Sequence, residues 1–269
     1  MVEGGIELTA GALALVVDAG LGGRIASLRV DGLEVLVVDG ASPLEQGWYP
    51  MAPFAGRVRG GRFRVGDVEH QLPLTAWPNA IHGTVHSLPW EVDERSEASC
   101  DLSVGLGAGW PFAGRARHRI ELADDAVRVT LEVTSEGGDF PASCGWHPWL
   151  RRDLGVGGSA EISLRAGAMW ERGDDDLPTG RLVEPAPGPW DDCFTELTWP
   201  TVVRWPGALA VEVRSSCEHV VVFDERPEGV CIEPQTGPPD ALTVAPVLVT
   251  PERPLVAEAV SRFRADDAG

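Results

Sequence analysis

Glu233 closes a short apolar run, Gly229-Val-Cys-Ile-Glu233, and is followed by the Pro/Gly-rich stretch Pro234-Gln-Thr-Gly-Pro-Pro-Asp240. A carboxylate at the end of a buried strand is costly unless it is hydrogen-bonded or put to use. Burial raises its pKa, which suits a general base. A strand-end glutamate that simply reaches water fits the same residues. His147 stands in Cys144-Gly-Trp-His-Pro-Trp149, with an indole on either side and Pro148 biasing it towards an extended backbone. An imidazole gives and takes protons near neutrality. The neighbouring Trp146 and Trp149, with Trp77 earlier in the chain, offer apolar walls for the C–H faces of a sugar ring. A buried aromatic cluster holding an incidental histidine is the plainer alternative.

Two more segments stand apart from ordinary strand sequence. Asn79-Ala-Ile-His-Gly83 puts His82 ahead of the strand-like Ser87-Leu-Pro-Trp90. Pro189-Trp-Asp-Asp-Cys-Phe194 pairs Asp191 with Asp192 after a Pro-Gly-Pro turn. A carboxylate accepts several hydrogen bonds and so can hold vicinal hydroxyls, or it can cap a turn. The sequence has no HExxH and no tight His/Cys spacing, so no metal ligands are expected from it. No GxGxxG leads a strand into a helix. Ala55-Gly-Arg-Val-Arg-Gly-Gly-Arg-Phe63 lacks the GK[ST] ending of a phosphate loop, and no GxSxG elbow is present.

The elements that must position these groups read as strands. Val127 to Thr134 alternates apolar and polar over eight positions, and Leu209 to Arg214 does much the same. Arg62–Val65 and Val68–Leu72 read as a hairpin around Gly66-Asp67. Ile6 to Val17, Arg24 to Val30, Leu33 to Val38, His219 to Phe223 and Gly229 to Glu233 add further strands. Leu255 to Phe263 fits a strand or a short helix. Gly 32 and Pro 22 punctuate the chain throughout. This pattern predicts a large antiparallel β-sandwich, with residues 1–269 as a single domain. Asp174-Asp-Asp176 reads as a solvated acidic turn.

The 269 residues carry 41 acidic against 22 basic side chains, a formal charge of -19. Every basic side chain is an arginine. This balance disfavours nucleic acid and anionic membrane surfaces as partners. No apolar run is long enough to span a bilayer. The opening MVEGGIELTAG lacks the charged and apolar regions of a secretory leader. Five dispersed cysteines, Cys100, Cys144, Cys193, Cys217 and Cys231, read as free thiols of a cytoplasmic protein.

In order and nearly end to end, these segments resemble the aldose 1-epimerase family, the galactose mutarotase-like proteins. Ala19-Gly-Leu-Gly-Gly-Arg-Ile-Ala-Ser-Leu28 is similar to the family's first strands. Phe54-Ala-Gly-Arg57 through Gly61-Arg-Phe63 resembles its Asn-Arg-Ile…Gly-x-Phe segment. His82-Gly83, His147-Pro148, Asp191-x-x-Phe194 and Ile232-Glu-Pro-Gln235 follow. The resemblance implies a β-supersandwich and interconversion of the α and β anomers of an aldose. It implies Glu233 as general base and His147 as general acid. Arg57, His82 and Asp191 become sugar ligands, with Asp192 as the alternative to Asp191 and Trp149 as an apolar contact. Gly56 stands where the family usually has Asn, so one hydrogen bond to the sugar is missing or supplied elsewhere.

Mutarotation needs one proton taken from the C1 hydroxyl and one delivered to the ring oxygen. One base and one acid suffice, so no cofactor is expected. With ordinary pKa values of about 4.3 for Glu and 6.5 for His, His147 needs an upward shift to stay protonated, which a nearby carboxylate would supply. The expected partner is a small-molecule sugar, with the chain a monomer or homodimer. Two alternatives remain open at this level. One is a hexose-6-phosphate 1-epimerase that binds phosphate through Arg59 or Arg62. The other is a sugar-binding module of the same fold without catalysis.

Overall fold

Alternating burial fixes the first large sheet. A computed structural model describes residues 4–266. In it the strand Ala126–Ser135 buries every second side chain from Val127 onward and pairs antiparallel with Gly114–Ala123 on one edge and Leu255–Ala265 on the other. Leu255–Ala265 also pairs with Leu209–Ser215. Two flanking strands therefore settle as β a segment whose own periodicity was ambiguous. Eight strands make up this sheet, from Glu91–Arg95 at one edge to Glu161–Ser163 at the other.

The second sheet has eleven strands and carries the site. Six lie side by side in the order Trp48–Met51, Gly145–Arg151, Gly229–Gln235, His219–Phe223, Asp191–Leu197 and Ala166–Arg172. Their alternate side chains serve two faces. Trp48, Trp146, Leu150, Val220, Val222, Phe194, Val230 and Ile232 join the main core together with Ile120, Val129, Val211 and Phe263 of the other sheet. Tyr49, Met51, Trp149 and Cys231 point the other way, into a second cluster with Val37 and Ala55. Since both faces are covered, all seven residues of Gly229–Gln235 are buried. The architecture is the large antiparallel sandwich anticipated from the sequence.

Three short ribbons complete the rim. Arg57–Val58 pairs with Ala80–Ile81, Arg62–Val65 with Val68–Gln71, and Phe140–Ala142 with Val247–Val249. Several expectations are corrected. Ile6 to Val17 is two strands, Ile6–Ala10 and Leu13–Asp18, folded back on each other around Gly11. Of Leu33–Val38, Leu33–Glu34 forms a short strand and Leu36 a single antiparallel bridge to Leu150. Ser87–Trp90 is not a strand: the Trp90 N–H bonds to the Ala19 carbonyl and its indole N–H to the Val85 carbonyl, which folds the segment inward. No helix among the described residues is long and apolar enough to cross a membrane.

Candidate active site

The register of two central strands brings His147 and Glu233 together. Gly145 pairs with Gln235 and Trp149 with Cys231, so His147 falls opposite Glu233 midway between them. Nε2 of His147 lies 3.2 Å from Oε1 of Glu233, and Gln235 Nε2 donates to Oε2 at 3.1 Å. Both members of the pair are nearly closed off, with side-chain exposures of 8 % and 3 %.

The imidazole stacks against two rings. Tyr49 stacks on it at 4.9 Å and Trp149 at 5.4 Å between centroids. The Tyr49 hydroxyl and the Trp149 indole N–H both donate to the Leu44 carbonyl, at 3.1 and 2.7 Å. Arg24 lies over the Tyr49 ring at 5.2 Å. Its guanidinium donates to the backbone carbonyls of Leu21, Pro43, Gln46 and His86. His82 approaches His147 edge-on at 5.0 Å.

Around this floor the side chains grade outward. Arg57 Nη1 and Arg172 Nη1 lie 3.6 and 3.7 Å from Asp191 Oδ2, while Arg172 Nε lies 3.5 Å from Asp192 Oδ1. Arg57 keeps 31 % and Asp191 20 % of its side-chain exposure. Asp191 therefore engages two arginines and acts electrostatically on Glu233. The His82-Gly83 pair owes its sequence to backbone shape. Both residues have positive φ, and a Cβ on Gly83 would sit 2.0 Å from the Ala52 carbonyl oxygen. Gly56 is also left-handed, at φ 68, and its carbonyl accepts the His82 N–H at 2.9 Å. That conformation suits Gly and tolerates Asn better than other residues.

Burial dominates the electrostatics. It pushes the Glu233 carboxyl well above the usual range, with the Asp191 charge adding and Gln235 and Arg57 opposing. It pushes His147 down to about 3 and His82 well below its ordinary value. The expected upward shift of His147 is thus reversed. A carboxyl driven towards its neutral form offers the imidazole no negative charge to stabilise a proton. Both directions favour an uncharged pair in which the Glu233 carboxyl donates to Nε2 of His147. The imidazole hydrogen then sits on Nδ1, which has no partner among the described residues; His82 Nδ1 and Gln235 Oε1 share that condition. Buried polar atoms without partners are uncommon, and three are gathered here.

Other residues fall outside this cluster. Trp146, on the opposite strand face from His147, is buried in the main core, where its indole N–H donates to His118 Nε2 at 3.1 Å; it is no sugar wall. Trp77 projects into solvent at 83 % exposure. Arg59 is bound to Asp175, to the Pro178 carbonyl and, through its backbone N–H, to Asp240. Arg62 Nε bonds to Gln71. The acidic turn is thus partly engaged through Asp175. A cavity of about 550 Å³ lies by the N-terminal strands and contains none of the six predicted site residues. Its Glu34 carboxylate is already taken by Ser27 and by the N–H groups of Leu28 and Leu36. Chemistry rather than size therefore locates the site. Sequence reasoning missed Arg172, Tyr49 and Gln235 as members. Only Gln235 stood in a motif; the other two are visible once strand neighbours are known.

The family model of the aldose 1-epimerases matches residues 5–199. The chain belongs to the aldose 1-epimerase family. The matched region contains Arg57, His82, His147 and Asp191, and Glu233 lies beyond it. The uncharacterized protein YphB of Escherichia coli (strain K12) is 30 % identical over 125 residues, covering 45 % of this chain and 41 % of that protein, so the match spans less than half of the curated relative. Among solved structures, a galactose mutarotase-like protein from Clostridium acetobutylicum superposes with a TM-score of 0.87 at 16 % identity, covering 97 % of this chain and 95 % of that one. The galactose 1-epimerase of Lactobacillus acidophilus NCFM gives 0.80 at 16 % identity, covering 97 % and 94 %. These likenesses establish a galactose mutarotase-like fold for this family member.

Proposed function

We propose that the protein is an aldose 1-epimerase acting on a free aldohexose, with Glu233 and His147 as its proton-transfer pair. The observation that carries this reading is their 3.2 Å contact, with His82 edge-on to His147 and the Arg57–Asp191 pair nearby. Ring opening takes the O1 proton onto the Glu233 carboxylate while protonated His147 supplies the ring oxygen. The free aldehyde turns about C1–C2. Closure returns the proton from the Glu233 carboxyl to the carbonyl oxygen while neutral His147 receives the proton of the C5 hydroxyl. The uncharged resting pair is the form that closes the ring. One proton shift across the Glu233–His147 contact turns it into the form that opens it. Each positioned proton transfer is worth roughly 10²–10⁴ in rate.

Arg57, Asp191 and His82 would hold the ring hydroxyls, with residues 1–269 acting as one unit. Trp149 supports His147 and offers its remaining edge to the sugar. A free sugar is favoured over a phosphorylated one because Arg59 and Arg62 already have partners. Polarimetry tests the reading: the wild type accelerates anomerisation of glucose or galactose, and Glu233→Gln and His147→Ala abolish it without unfolding. Wild-type rates in both variants overturn it, as does saturable sugar binding with no acceleration. Faster turnover of glucose 6-phosphate than of glucose overturns the free-sugar assignment.

A further inference from the structure

The sequence has no histidine–cysteine spacing of a metal site, yet the fold gathers three donor types in one place. A nitrogen of His147, Sγ of Cys231 and a carboxylate oxygen of Glu233 lie within 4.8 Å of one another, and all three residues are buried. Cys231 pairs with Trp149 and precedes Glu233 by two positions on one strand, so both project to the same face. Proton transfer between Glu233 and His147 makes no use of this thiol.

We propose that Cys231, His147 and Glu233 form an inhibitory site for a borderline-soft divalent cation, with zinc the best fit. One sulfur, one imidazole nitrogen and one carboxylate oxygen are zinc donors. A tetrahedral zinc keeps such donors roughly 3.3–3.8 Å apart. The nitrogen–oxygen contact is already 3.2 Å, and side-chain rotation closes the rest. Charge balance favours the cation further. Binding releases the thiol proton and the one proton shared by Glu233 and His147 to solvent. The incoming 2+ then meets one thiolate and one carboxylate, and the assembly is neutral. A neutral complex suits the apolar surroundings of Val37, Met51 and Ala55. Three protein ligands leave a fourth position for water. Metal occupancy removes the proton that the pair exchanges and so stops anomerisation.

Metal binding does not depend on the catalytic reading, and the experiment separates them. Cobalt(II) titrated into the full-length protein gives a thiolate-to-cobalt charge-transfer band in the wild type. The band is lost in Cys231→Ala and kept in Cys100→Ala, whose thiol lies on the other sheet. In parallel, zinc inhibits the wild-type anomerisation rate. Cys231→Ala keeps the zinc-free rate and needs about 100-fold more zinc for inhibition. Cys231→Ser serves if the alanine variant does not fold. No cobalt band in the wild type, or an unchanged band in Cys231→Ala, overturns the site. If the protein shows no anomerase activity, the cobalt titration still decides the metal question.

Discussion

Nε2 of His147 and Oε1 of Glu233 face each other at 3.2 Å from directly opposed positions on neighbouring antiparallel strands. Two residues 86 positions apart in the chain become partners through sheet register alone. A register slip of one residue would turn one of them into the main core. Removing either group should therefore act on chemistry before it acts on folding. Glu233→Gln keeps the shape and the Gln235 contact but carries no transferable proton. Its anomerisation rate should fall by about 10²–10⁴, with an unchanged circular dichroism spectrum.

Burial at this pair predicts an unusual pH profile. Burial holds His147 at about 3 and pushes Glu233 well above its normal range, and both directions favour the uncharged pair. The profile of kcat/KM should be flat through pH 6.5 and fall on the acid side only as His147 gains a proton near 3. A limb centred near 6.5 would show that the imidazole is not desolvated. Polarimetric rates between pH 4 and 8 distinguish these outcomes.

Stability should depend on pH with a definite sign. Burial lowers His118 and His86 to about 4. Unfolded histidine binds its proton near 6.5, so between 6.5 and 4 the unfolded chain holds more protons. Stability is fully present above 6.5 and is lost as pH falls through 4. His118 is locked in its neutral form, because its Nε2 accepts from Trp146 while Nδ1 meets the Gly23 carbonyl at 3.0 Å. It alone contributes about 3 kcal/mol to this loss. Urea midpoints measured from pH 7 to 4 should fall steeply, and His118→Gln should flatten the slope.

Arg172 shares Asp191 with Arg57 across partly exposed contacts. Exposed ion pairs are worth about 0.2–1 kcal/mol. Arg172→Gln should thus raise KM about threefold to fivefold and leave kcat nearly unchanged, with Arg172→Lys partly restoring KM. A large fall in kcat with unchanged KM would contradict this positioning role. Steady-state kinetics on one aldose are sufficient.

Gly83 cannot carry a side chain. Its φ is 80, and a Cβ would lie 2.0 Å from the Ala52 carbonyl oxygen. Gly83→Ala should destabilise the protein by about 2–4 kcal/mol, read as a fall in the urea midpoint. It should also displace His82, which precedes it.

Much of the fold was legible because period-two burial is a local signal. Ala126–Ser135, Leu209–Ser215 and the Arg62–Gln71 hairpin stand where alternation placed them. Leu255–Ala265 was not, because only its two neighbours decide its state. The site was legible where chemistry sits in short motifs, as at His147 and Glu233, whose juxtaposition the fold supplies. Trp146 and Trp149 looked equivalent in sequence, and strand alternation sends them to opposite faces. The protonation of His147 was misjudged because desolvation is a property of the assembled sheet. Arg172 belongs to no motif at all.

The Leu44 carbonyl accepts from both rings that stack on His147, and Arg24 grips the backbone on either side of it at Pro43 and Gln46. Loosening that stretch would let the proton-carrying nitrogen swing off its aim. A substitution at Arg24 would then look like a damaged catalyst in any assay, although nothing at position 24 exchanges a proton with a sugar.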